Sequence, residues 1–422
     1  MRAGNGLLPY LAAQALSTFN HNLLGSSLLT MVSFGALGGF GLSVETIVGL
    51  CTLLIVLPYV LVSLPAGRLA DRLPRAVVLK TMLGLDVILL SLAVLGLLFA
   101  NLPLLLAAML LAGLQAAIMG PAKFAILPDL VPPDAVMVSN GWLGASGTAT
   151  VLLGTFLGSA LILDPAGRWL VTCGALLLSV LAWRLGTRVP VNPAADPSLS
   201  LHPQSLLGDL VAAVRRLRQT RAIFWPMVGT GWFWFQGTAC KAMIPLYVAH
   251  AGQPALHVSV LLLASTGGVA LGALGADQLI RRFNPLLLSI TLLLAIGLSG
   301  LDFVLTAPTN IIRLALDALV MAMASGFYLV PVTAAIQQRV PPQERARFVG
   351  ISHTLSGITM SLAGLAIIAY PLLHLTVTDL YLLIATIGGC VAALALFGTL
   401  KTGAGRLASA EPRRRPHRSP PV

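Results

Sequence analysis

Several ionisable side chains of this sequence lie inside long apolar segments, where charged residues are rare. Lys123 and Lys241 are the two basic ones, and His21 and Asp86 are candidates for carrying a proton. Ionisable residues within membrane segments are functional candidates by default, because each needs a partner there. A histidine can also change charge between about pH 5 and 8. The first hypothesis is therefore a binding or proton-handling site inside a membrane.

Each of these residues also has a purely structural interpretation. Lys123 and Lys241 lie near helix ends, and a long side chain there can extend its ammonium group to the membrane surface. A lone histidine can be a satisfied hydrogen-bonding residue. Asp302 and Asp317, near the predicted external face, can pair with Arg313. These alternatives stay open on the sequence alone.

The composition indicates that a membrane surrounds these residues. Only 9% of the 422 residues are charged and 57% are apolar, whereas about 25% of a soluble domain is charged. Apolar stretches of about 20 residues, long enough to cross a hydrocarbon core of about 30 Å, recur along the whole chain. The predicted fold class is an all-α integral membrane protein with twelve transmembrane helices.

The predicted helices form two groups of six, separated by one long polar stretch. They cover residues 7–33, 45–66, 76–100, 102–127, 138–163, 168–186, 222–249, 256–280, 285–307, 309–337, 347–371 and 377–400. The first segment is too long for a signal peptide and is predicted to be a retained helix. The predicted domains are an N-terminal bundle (1–186), a cytoplasmic linker with an amphipathic helix (187–221), a C-terminal bundle (222–400) and a disordered basic tail (401–422).

The basic residues predict the orientation, because Lys and Arg in short loops are retained on the cytoplasmic side. Of the 26 basic residues, Lys123 and Lys241 lie in spans and Arg168 and Arg313 lie on the opposite side, and the other 22 fall on one face. Both termini are therefore predicted to be cytoplasmic. The net charge of +12 reflects this asymmetry and predicts attraction to anionic membrane lipids, with no nucleic-acid partner.

No metal or cofactor is predicted. Each of the four cysteines lies alone within an apolar segment, without the spacing of metal ligands, and none suggests a disulfide. They are Cys51, Cys173, Cys240 and Cys390. A monomer is expected.

The two halves repeat each other's motifs in register. Asp71-Arg-Leu-Pro-Arg75 follows the second helix, and Asp277-Gln-Leu-Ile-Arg281 follows the eighth. The fourth helix ends in Pro-Ala-Lys-Phe-Ala-Ile and reaches Val-Pro-Pro, and the tenth ends in Pro-Val-Thr-Ala-Ala-Ile and also reaches Val-Pro-Pro. Such repeats predict two pseudo-symmetric six-helix bundles, related by an axis along the membrane normal, with a substrate site between them near the midplane.

The segment Gly67-Arg-Leu-Ala-Asp-Arg-Leu-Pro-Arg75 resembles the G-x-x-x-D-[RK]-x-G-[RK] signature of the major facilitator superfamily. It departs from that signature at Pro74, where a glycine is usual. The resemblance implies the major facilitator fold and a conformational latch. We expect Gly67 to permit close helix approach and Asp71 to accept hydrogen bonds from arginines. The residues assigned to gating are Gly67, Asp71, Arg72, Arg75, Asp277 and Arg281.

A narrower resemblance covers most of the chain. Phe19-Asn-His-Asn22, Gly120-Pro-Ala-Lys-Phe-Ala-Ile-Leu-Pro128, Ser139-Asn-Gly141, Trp232-Phe-Trp234 and Gly326-Phe-Tyr-Leu-Val-Pro331 together resemble the bacterial lysophospholipid transporter family. This implies a secondary transporter of the bacterial inner membrane. It would carry lysophospholipid, such as 2-acyl-glycerophosphoethanolamine, to the cytoplasmic side for reacylation by an acyltransferase.

The same resemblance implies a substrate site. Lys123 matches the family's helix-four lysine, and Lys241 takes the place of a basic residue in helix seven, so both are expected to contact the headgroup phosphate. The full predicted substrate set is Lys123, Lys241, His21, Asn22, Trp232 and Trp234. Transport is expected to proceed by rocking of the two bundles, with an acyl tail able to enter sideways from the leaflet.

The sequence departs from this family at its acidic positions. His21 stands where helix one usually has an acidic residue, and Gly144 and Gly357 stand where glutamates are expected. Because hard cations prefer oxygen ligands, these departures weaken a sodium-coupled mechanism. They leave His21 and Asp86 as candidates for proton coupling.

Two alternatives to lysophospholipid transport remain. One is a proton-linked exporter of drugs or other amphiphiles on the same scaffold. The other is a membrane-bound acyltransferase or a nonconducting scaffold subunit. The sequence has no phosphate-binding glycine loop or GxSxG elbow, so we predict that the chain is not an enzyme.

Overall fold

The computed structural model describes residues 6–37, 41–133, 135–194, 196–198, 221–339 and 345–401. Within these ranges the chain forms twelve long helices. They are α1 (Leu7–Ser33), α2 (Val44–Arg72), α3 (Arg75–Leu98), α4 (Leu102–Ala125), α5 (Val136–Leu161), α6 (Pro165–Gly186), α7 (Arg221–His250), α8 (Ala255–Arg282), α9 (Pro285–Leu305), α10 (Ile311–Arg339), α11 (Arg345–Ala369) and α12 (Val377–Lys401). The predicted amphipathic linker helix and basic tail lie outside the described residues.

Capping side chains explain several of the helix starts. Asn101 accepts a hydrogen bond from the backbone N–H of Leu104 (3.1 Å), and Asp164 accepts one from that of Gly167 (2.7 Å). Each cap is followed by a proline at the first or second helical position, where its missing N–H costs nothing. The turn predicted near Asn101 is confirmed.

The second helix is longer than predicted. The predicted helix ends at residue 66, beside Pro65, but α2 continues to Arg72 and stops before Pro74. A proline inside a helix removes one hydrogen bond without always ending it. The basic segment after Pro65 is therefore helical and forms the last two turns of α2, at the end that carries Asp71.

Ten of the twelve helices are long and apolar enough to cross a membrane. The other two, α1 and α7, are the first helices of the two halves. α1 contains the polar run Asn20–Asn22, and α7 contains Gln236 and Lys241. The two helices outside the set of ten thus occupy equivalent positions in the repeat.

Helix packing follows the internal repeat. α1 packs on α5 and α6 as α7 packs on α11 and α12, and α2 packs on α4 as α8 packs on α10. Between the halves, α2 packs on α11 and α5 packs on α8. The chain therefore forms two pseudo-symmetric six-helix bundles joined along two equivalent seams, as the sequence predicts.

The bundles make polar and backbone contacts at the face where α2 begins, called here the Glu45 face. His250 Nε2 lies 3.3 Å from Glu45 Oε1, and the hydroxyls of Ser159 and Ser259 are hydrogen bonded at 2.8 Å. At the opposite face, where α2 ends at the Asp71 motif, Trp142 near the start of α5 is 63% exposed. The seam is therefore closed at the Glu45 face.

Glycine brings α8 and α10 into backbone contact. A Cβ atom placed on Gly272 would lie 1.9 Å from the carbonyl oxygen of Met323, and one on Gly326 would lie 2.1 Å from that of Val269. Such separations are far below van der Waals contact, so these helices pack closely only because both positions lack a side chain.

Gly272→Ala is expected to lower the midpoint of thermal unfolding of the detergent-solubilised protein, because the new methyl group must push α8 away from α10. Overpacking of this kind costs about 1–3 kcal/mol. Gly297→Ala in α9 is the matched control, since nothing lies within 4 Å of its Cβ position and alanine favours a helix by up to about 1 kcal/mol. Equal midpoints for the two variants would contradict the packing argument.

Candidate functional site

A cavity of about 650 Å³ lies between the two bundles. Its walls come from α1, α4 and α5 of the first bundle and from α7, α8 and α10 of the second. Most of the lining is apolar, including Leu143, Val151, Phe233, Leu262 and Val269. A mostly apolar cavity with a few polar groups is typical of a site for a small molecule.

Both candidate lysines line this cavity, one from each bundle. Lys123 lies in the last turn of α4, and Lys241 lies in the second half of α7. The two ammonium-bearing side chains therefore share one space, although they come from different bundles. This concentrates positive charge in an otherwise apolar cavity.

Lys241 is held by a hydrogen bond that crosses between the bundles. Its Nζ donates to Asn22 Oδ1 of α1 at 3.0 Å, and Asn22 Nδ2 donates to the Thr18 carbonyl oxygen at 2.9 Å. The amide of Asn22 is therefore oriented with its oxygen toward the ammonium group. Lys241 is thus directed at α1 inside the cavity, and its ammonium group does not extend to the membrane surface.

The end of α4 that carries Lys123 is also fixed from α1. The phenol of Tyr10 donates a hydrogen bond to the backbone carbonyl oxygen of Lys123. Pro121 lies two residues earlier inside the same helix, where it removes a backbone donor. Helix α1 therefore contacts both lysine-bearing elements, at Asn22 and at Tyr10.

The two predicted tryptophans of α7 are placed differently. Trp234 lines the cavity, whereas Trp232 is not part of the lining and donates from Nε1 to Gln236 Oε1 at 3.2 Å. Residues two positions apart on a helix face directions about 200° apart, so both rings cannot face the same space. Gln236 itself lines the cavity.

His21 and Asp86 form a contact pair beside the cavity. His21 Nε2 lies 2.8 Å from Asp86 Oδ1, and the Ser17 hydroxyl donates to Asp86 Oδ2 at 2.5 Å. Asp86 is only 1% exposed. His21 faces α3 while its neighbour Asn22 faces the cavity, so a titratable pair lies one residue from the Lys241 contact.

The predicted latch residues of the first half form an ion-pair cluster. Arg75 Nη1 donates to both carboxylate oxygens of Asp129 at 3.1 Å, and Arg75 Nη2 donates to Asp71 Oδ1 at 3.4 Å. The second-half pair is formed by Asp277 and Arg281 at 3.0 Å and is solvent exposed, so it contributes little stability. Arg72 ends α2 and is exposed.

One expectation for the latch is wrong. Gly67 was expected to permit close helix approach, but a Cβ atom there would meet nothing within 4 Å. The close approach of α2 and α4 occurs instead at Gly113, whose Cβ position lies 2.2 Å from the Ile55 carbonyl oxygen. Gly67 lies on a side of α2 that has no close neighbour in this structure.

The sequence analysis missed Asp129 and several cavity residues. Asp129 could have been found as an acidic residue just after helix four, on the predicted basic face. The missed lining residues include the apolar wall and also a polar or small set, which comprises Thr18, Gly147, Thr148, Gln236, Ser265, Thr266 and Ser325. Thr18 precedes Asn22 by four residues, a spacing that places both on one side of a helix.

The glycines at the expected glutamate positions have different surroundings. Gly144 lines the cavity, and nothing lies within 4 Å of its Cβ position. Gly357 packs against α2, with its Cβ position 3.0 Å from the backbone nitrogen of Val60. Of these two glycines, only Gly144 therefore changes the lining of the cavity.

Two pseudo-symmetric helical bundles around a shared cavity, with charged groups inside it, define a membrane transporter rather than an enzyme. Its apolar helices make it a multi-pass protein of the membrane. The chain belongs to the Major Facilitator Superfamily, whose family model matches residues 10–364. Membership of this family makes it a secondary transporter.

Curated relatives point to a narrower resemblance. A lysophospholipid transporter of Serratia proteamaculans is 25% identical over 340 residues, covering 79% of this chain and 80% of the relative. A lysophospholipid transporter of Yersinia pestis is 25% identical over 334 residues, covering 79% and 78%. The predicted resemblance to this transporter family is confirmed, and it places the chain among bacterial inner-membrane proteins.

Solved structures share the fold. A POT family transporter in complex with 5-aminolevulinic acid has a TM-score of 0.71 at 14% identity, with 95% of this chain and 97% of that chain covered. A D-xylose–proton symporter has a TM-score of 0.69 at 14% identity, with 94% and 96% covered. At such low identity these likenesses show the major facilitator fold alone.

Proposed function

We propose that this chain moves lysophospholipid, such as 2-acyl-glycerophosphoethanolamine, across the inner membrane toward the cytoplasmic side by alternating access. The observation that carries the proposal is the cavity of about 650 Å³ that holds one lysine from each bundle within apolar walls. A lysophospholipid has the matching parts, a negatively charged phosphate and one acyl chain. The printed names of the curated relatives support this substrate class.

The headgroup phosphate is proposed to lie between Lys123 and Lys241. A charge-assisted hydrogen bond between an ammonium and a phosphate is about twice as strong as a neutral one. Asn22 Oδ1 accepts a hydrogen bond from Lys241 Nζ at 3.0 Å and orients the ammonium group. A phosphate oxygen would accept from another N–H of the same ammonium group, which has three donors, so Asn22 can hold Lys241 while substrate is bound.

The acyl chain is proposed to lie along the apolar wall. Phe233, Leu262 and Val269 offer it contact in the same cavity, and each buried CH₂ group contributes about 0.8 kcal/mol. Trp234 lines the cavity too and is 41% exposed. We propose that it contacts the substrate near the boundary between headgroup and chain.

We propose that both termini are cytoplasmic and that residues 1–186 rock as one body against residues 222–400. The Asp71 face is then the cytoplasmic one, and the closed Glu45 face is the outer one. Opening the outer face requires breaking the contacts between Glu45 and His250 and between Ser159 and Ser259. The Arg75 cluster is proposed to form the cytoplasmic latch within the first bundle.

We further propose that the His21–Asp86 pair carries the coupling proton. Asp86 accepts from both His21 and Ser17 in a buried position. His21 precedes Asn22, and Asn22 accepts the hydrogen bond from Lys241. A change in the protonation of the His21–Asp86 pair would therefore reach the headgroup site through one residue of α1. A cytoplasmic-side acyltransferase is the proposed consumer of the delivered substrate.

Lys123→Ala is expected to reduce the uptake of radiolabelled lysophosphatidylethanolamine at least tenfold in cells that lack their own transporter. Hydrogen bonds to charged groups contribute about 1.5–3 kcal/mol, or about 10- to 150-fold in affinity. Lys80→Ala is the matched control, because Lys80 is exposed in α3 and does not line the cavity. Uptake is compared at equal membrane expression.

Two outcomes would count against the proposal. Absence of uptake by the correctly inserted unaltered protein would reject lysophospholipid as the cargo. Equal uptake by the unaltered protein and the Lys123→Ala variant would leave the cargo in place and remove Lys123 from the headgroup site.

A proton-linked exporter of drugs or other amphiphiles is the second candidate, and the buried His21–Asp86 pair is the observation that favours it. The lysines in the cavity would then select an anionic amphiphile. Everted membrane vesicles distinguish the two functions. An exporter accumulates an anionic amphiphilic dye in these vesicles when a proton gradient is imposed, and it shows no uptake of lysophospholipid in intact cells.

A further inference from the structure

A second cavity lies on the outside of the C-terminal bundle, in a groove between α9 and α10. It measures about 680 Å³, and its walls are mainly leucines and other apolar side chains. The lining runs along α9 from Thr291 to Leu305, a length of about 21 Å at about 1.5 Å per residue. The lining of α10 comes from Leu316, Asp317 and Val320. The groove therefore has the length of an extended acyl chain.

This groove is separate from the central site. The residues of α10 that line the central cavity are Met321, Ala322 and Ser325, and none of them lines the groove. Three groove leucines, Leu294, Leu298 and Leu305, are 50%, 60% and 73% exposed. Their exposure places the groove on the outer surface of the bundle, where the membrane lipids lie.

Charged side chains are concentrated at one end of the groove. Arg313 Nε donates to Asp302 Oδ2 at 2.8 Å, and its Nη2 bonds the other carboxylate oxygen. These two residues therefore form a neutral pair. Asp317 lies beside that pair, within side-chain hydrogen-bond distance of Asp302. Two carboxylates and one guanidinium therefore leave one negative charge at this end of the groove when both carboxyl groups are ionised.

The other polar groups of the groove are already satisfied. The Thr291 hydroxyl donates to the Leu287 carbonyl oxygen at 2.9 Å, and the Ser299 hydroxyl donates to that of Ala295 at 2.5 Å. Each bond stays within its own helix. They leave Asp317 as the group that would select a ligand by its chemistry.

We propose that this groove binds a membrane phospholipid whose headgroup ends in a primary ammonium group. The ammonium donates to the carboxyl groups of Asp302 and Asp317, which both line the groove, and neutralises the excess negative charge of the cluster, while one acyl chain lies along the leucines of α9. A primary ammonium offers three N–H donors together with the opposite charge. A phosphatidylcholine headgroup has the positive charge but no N–H donor, and phosphatidylglycerol has no positive charge.

The proposal is independent of the cargo of the central cavity, and its test requires no transport. The full chain is purified in detergent with equal amounts of phosphatidylethanolamine, phosphatidylcholine and phosphatidylglycerol of the same acyl composition. Native mass spectrometry then measures which lipids stay bound. The unaltered protein is expected to retain phosphatidylethanolamine about tenfold over the other two, as a charge-assisted hydrogen bond implies.

Asp317→Asn is expected to remove that preference, so that the retention of phosphatidylethanolamine relative to the other two lipids falls to a ratio of about one. Asp317→Glu is expected to keep the preference. Asp277→Asn is the matched control, since Asp277 is an exposed carboxylate at the end of α8, outside the groove. Leu298→Trp, which fills the groove, is expected to reduce retention of all three lipids.

Equal retention of the three lipids by the unaltered protein would overturn the proposal. So would a preference for phosphatidylethanolamine that survives Asp317→Asn. If the Asn variant fails to fold, the unaltered protein and the Leu298→Trp variant still decide the question, because the proposal requires a preference in the first and lower retention of phosphatidylethanolamine in the second.

Discussion

Lys241→Met is expected to lower lysophospholipid uptake at least about thirtyfold, a larger loss than that expected for Lys123→Ala. Removing one partner of a buried, hydrogen-bonded charge pair costs about 2–5 kcal/mol, because the other charge is left unpaired. Here the phosphate would lose the ammonium that Asn22 positions at 3.0 Å. Methionine keeps a long side chain, so the volume of the cavity changes little. The measurement is initial uptake rate at matched expression.

Asn22→Ala, measured in the same uptake experiment, separates the contribution of the Lys241 charge from that of its orientation by Asn22. It removes the amide oxygen that orients Lys241 and leaves the ammonium group in the cavity. We expect a loss of uptake smaller than that of Lys241→Met. If the asparagine variant loses as much as the methionine variant, the interaction between bundles, and not phosphate binding, explains the role of Lys241.

Asp86→Asn is expected to abolish the stimulation of uptake by a proton gradient in proteoliposomes. The amide has nearly the shape of the carboxylate but cannot bind or release a proton near neutral pH. The amide keeps one acceptor oxygen, so only one of the two contacts, that of His21 at 2.8 Å or that of Ser17 at 2.5 Å, retains an oxygen acceptor. Transport driven by the substrate gradient alone is expected to remain, since the lysines of the cavity are untouched.

Exchange of labelled for unlabelled substrate, with no proton gradient, is the second measurement for this variant. Retained exchange shows that the protein is folded and binds substrate. Asp379→Asn is the matched control, because it changes an exposed carboxylate at the start of α12 and an asparagine oxygen can still accept the hydrogen bond from Thr376. If the proton gradient still stimulates uptake by Asp86→Asn, the His21–Asp86 pair does not carry the coupling proton.

The sequence predicts the helices well because membrane helices are defined by long apolar runs, which are local features. α1 is predicted and observed at residues 7–33. α6 begins three residues earlier than predicted, because Asp164 caps the helix and Pro165 begins it. α2 extends six residues further, since apolar content ends near Pro65 while backbone hydrogen bonding continues. Composition therefore locates spans better than it locates helix ends.

The site is only partly predictable, because its contacts join residues far apart in the sequence. The apolar surroundings of Lys123 and Lys241 single them out, and the repeat suggests one shared space. The hydrogen bond between Lys241 and Asn22 and the contact between His21 and Asp86 depend on how helices rotate about their axes. Gly67 shows the same limit, because a motif cannot specify which side of α2 has a neighbour.

The polar interiors of α1 and α7 bear on how the chain enters the bilayer during synthesis. Both fall outside the ten helices that are apolar enough to span a membrane by themselves, and a lysine at the centre of a helix opposes insertion by about 2.5–3.5 kcal/mol. α7, which carries Lys241, packs on α11 and α12, both of which emerge later from the ribosome. Its stable insertion therefore requires that the insertion machinery retain it until those partners arrive.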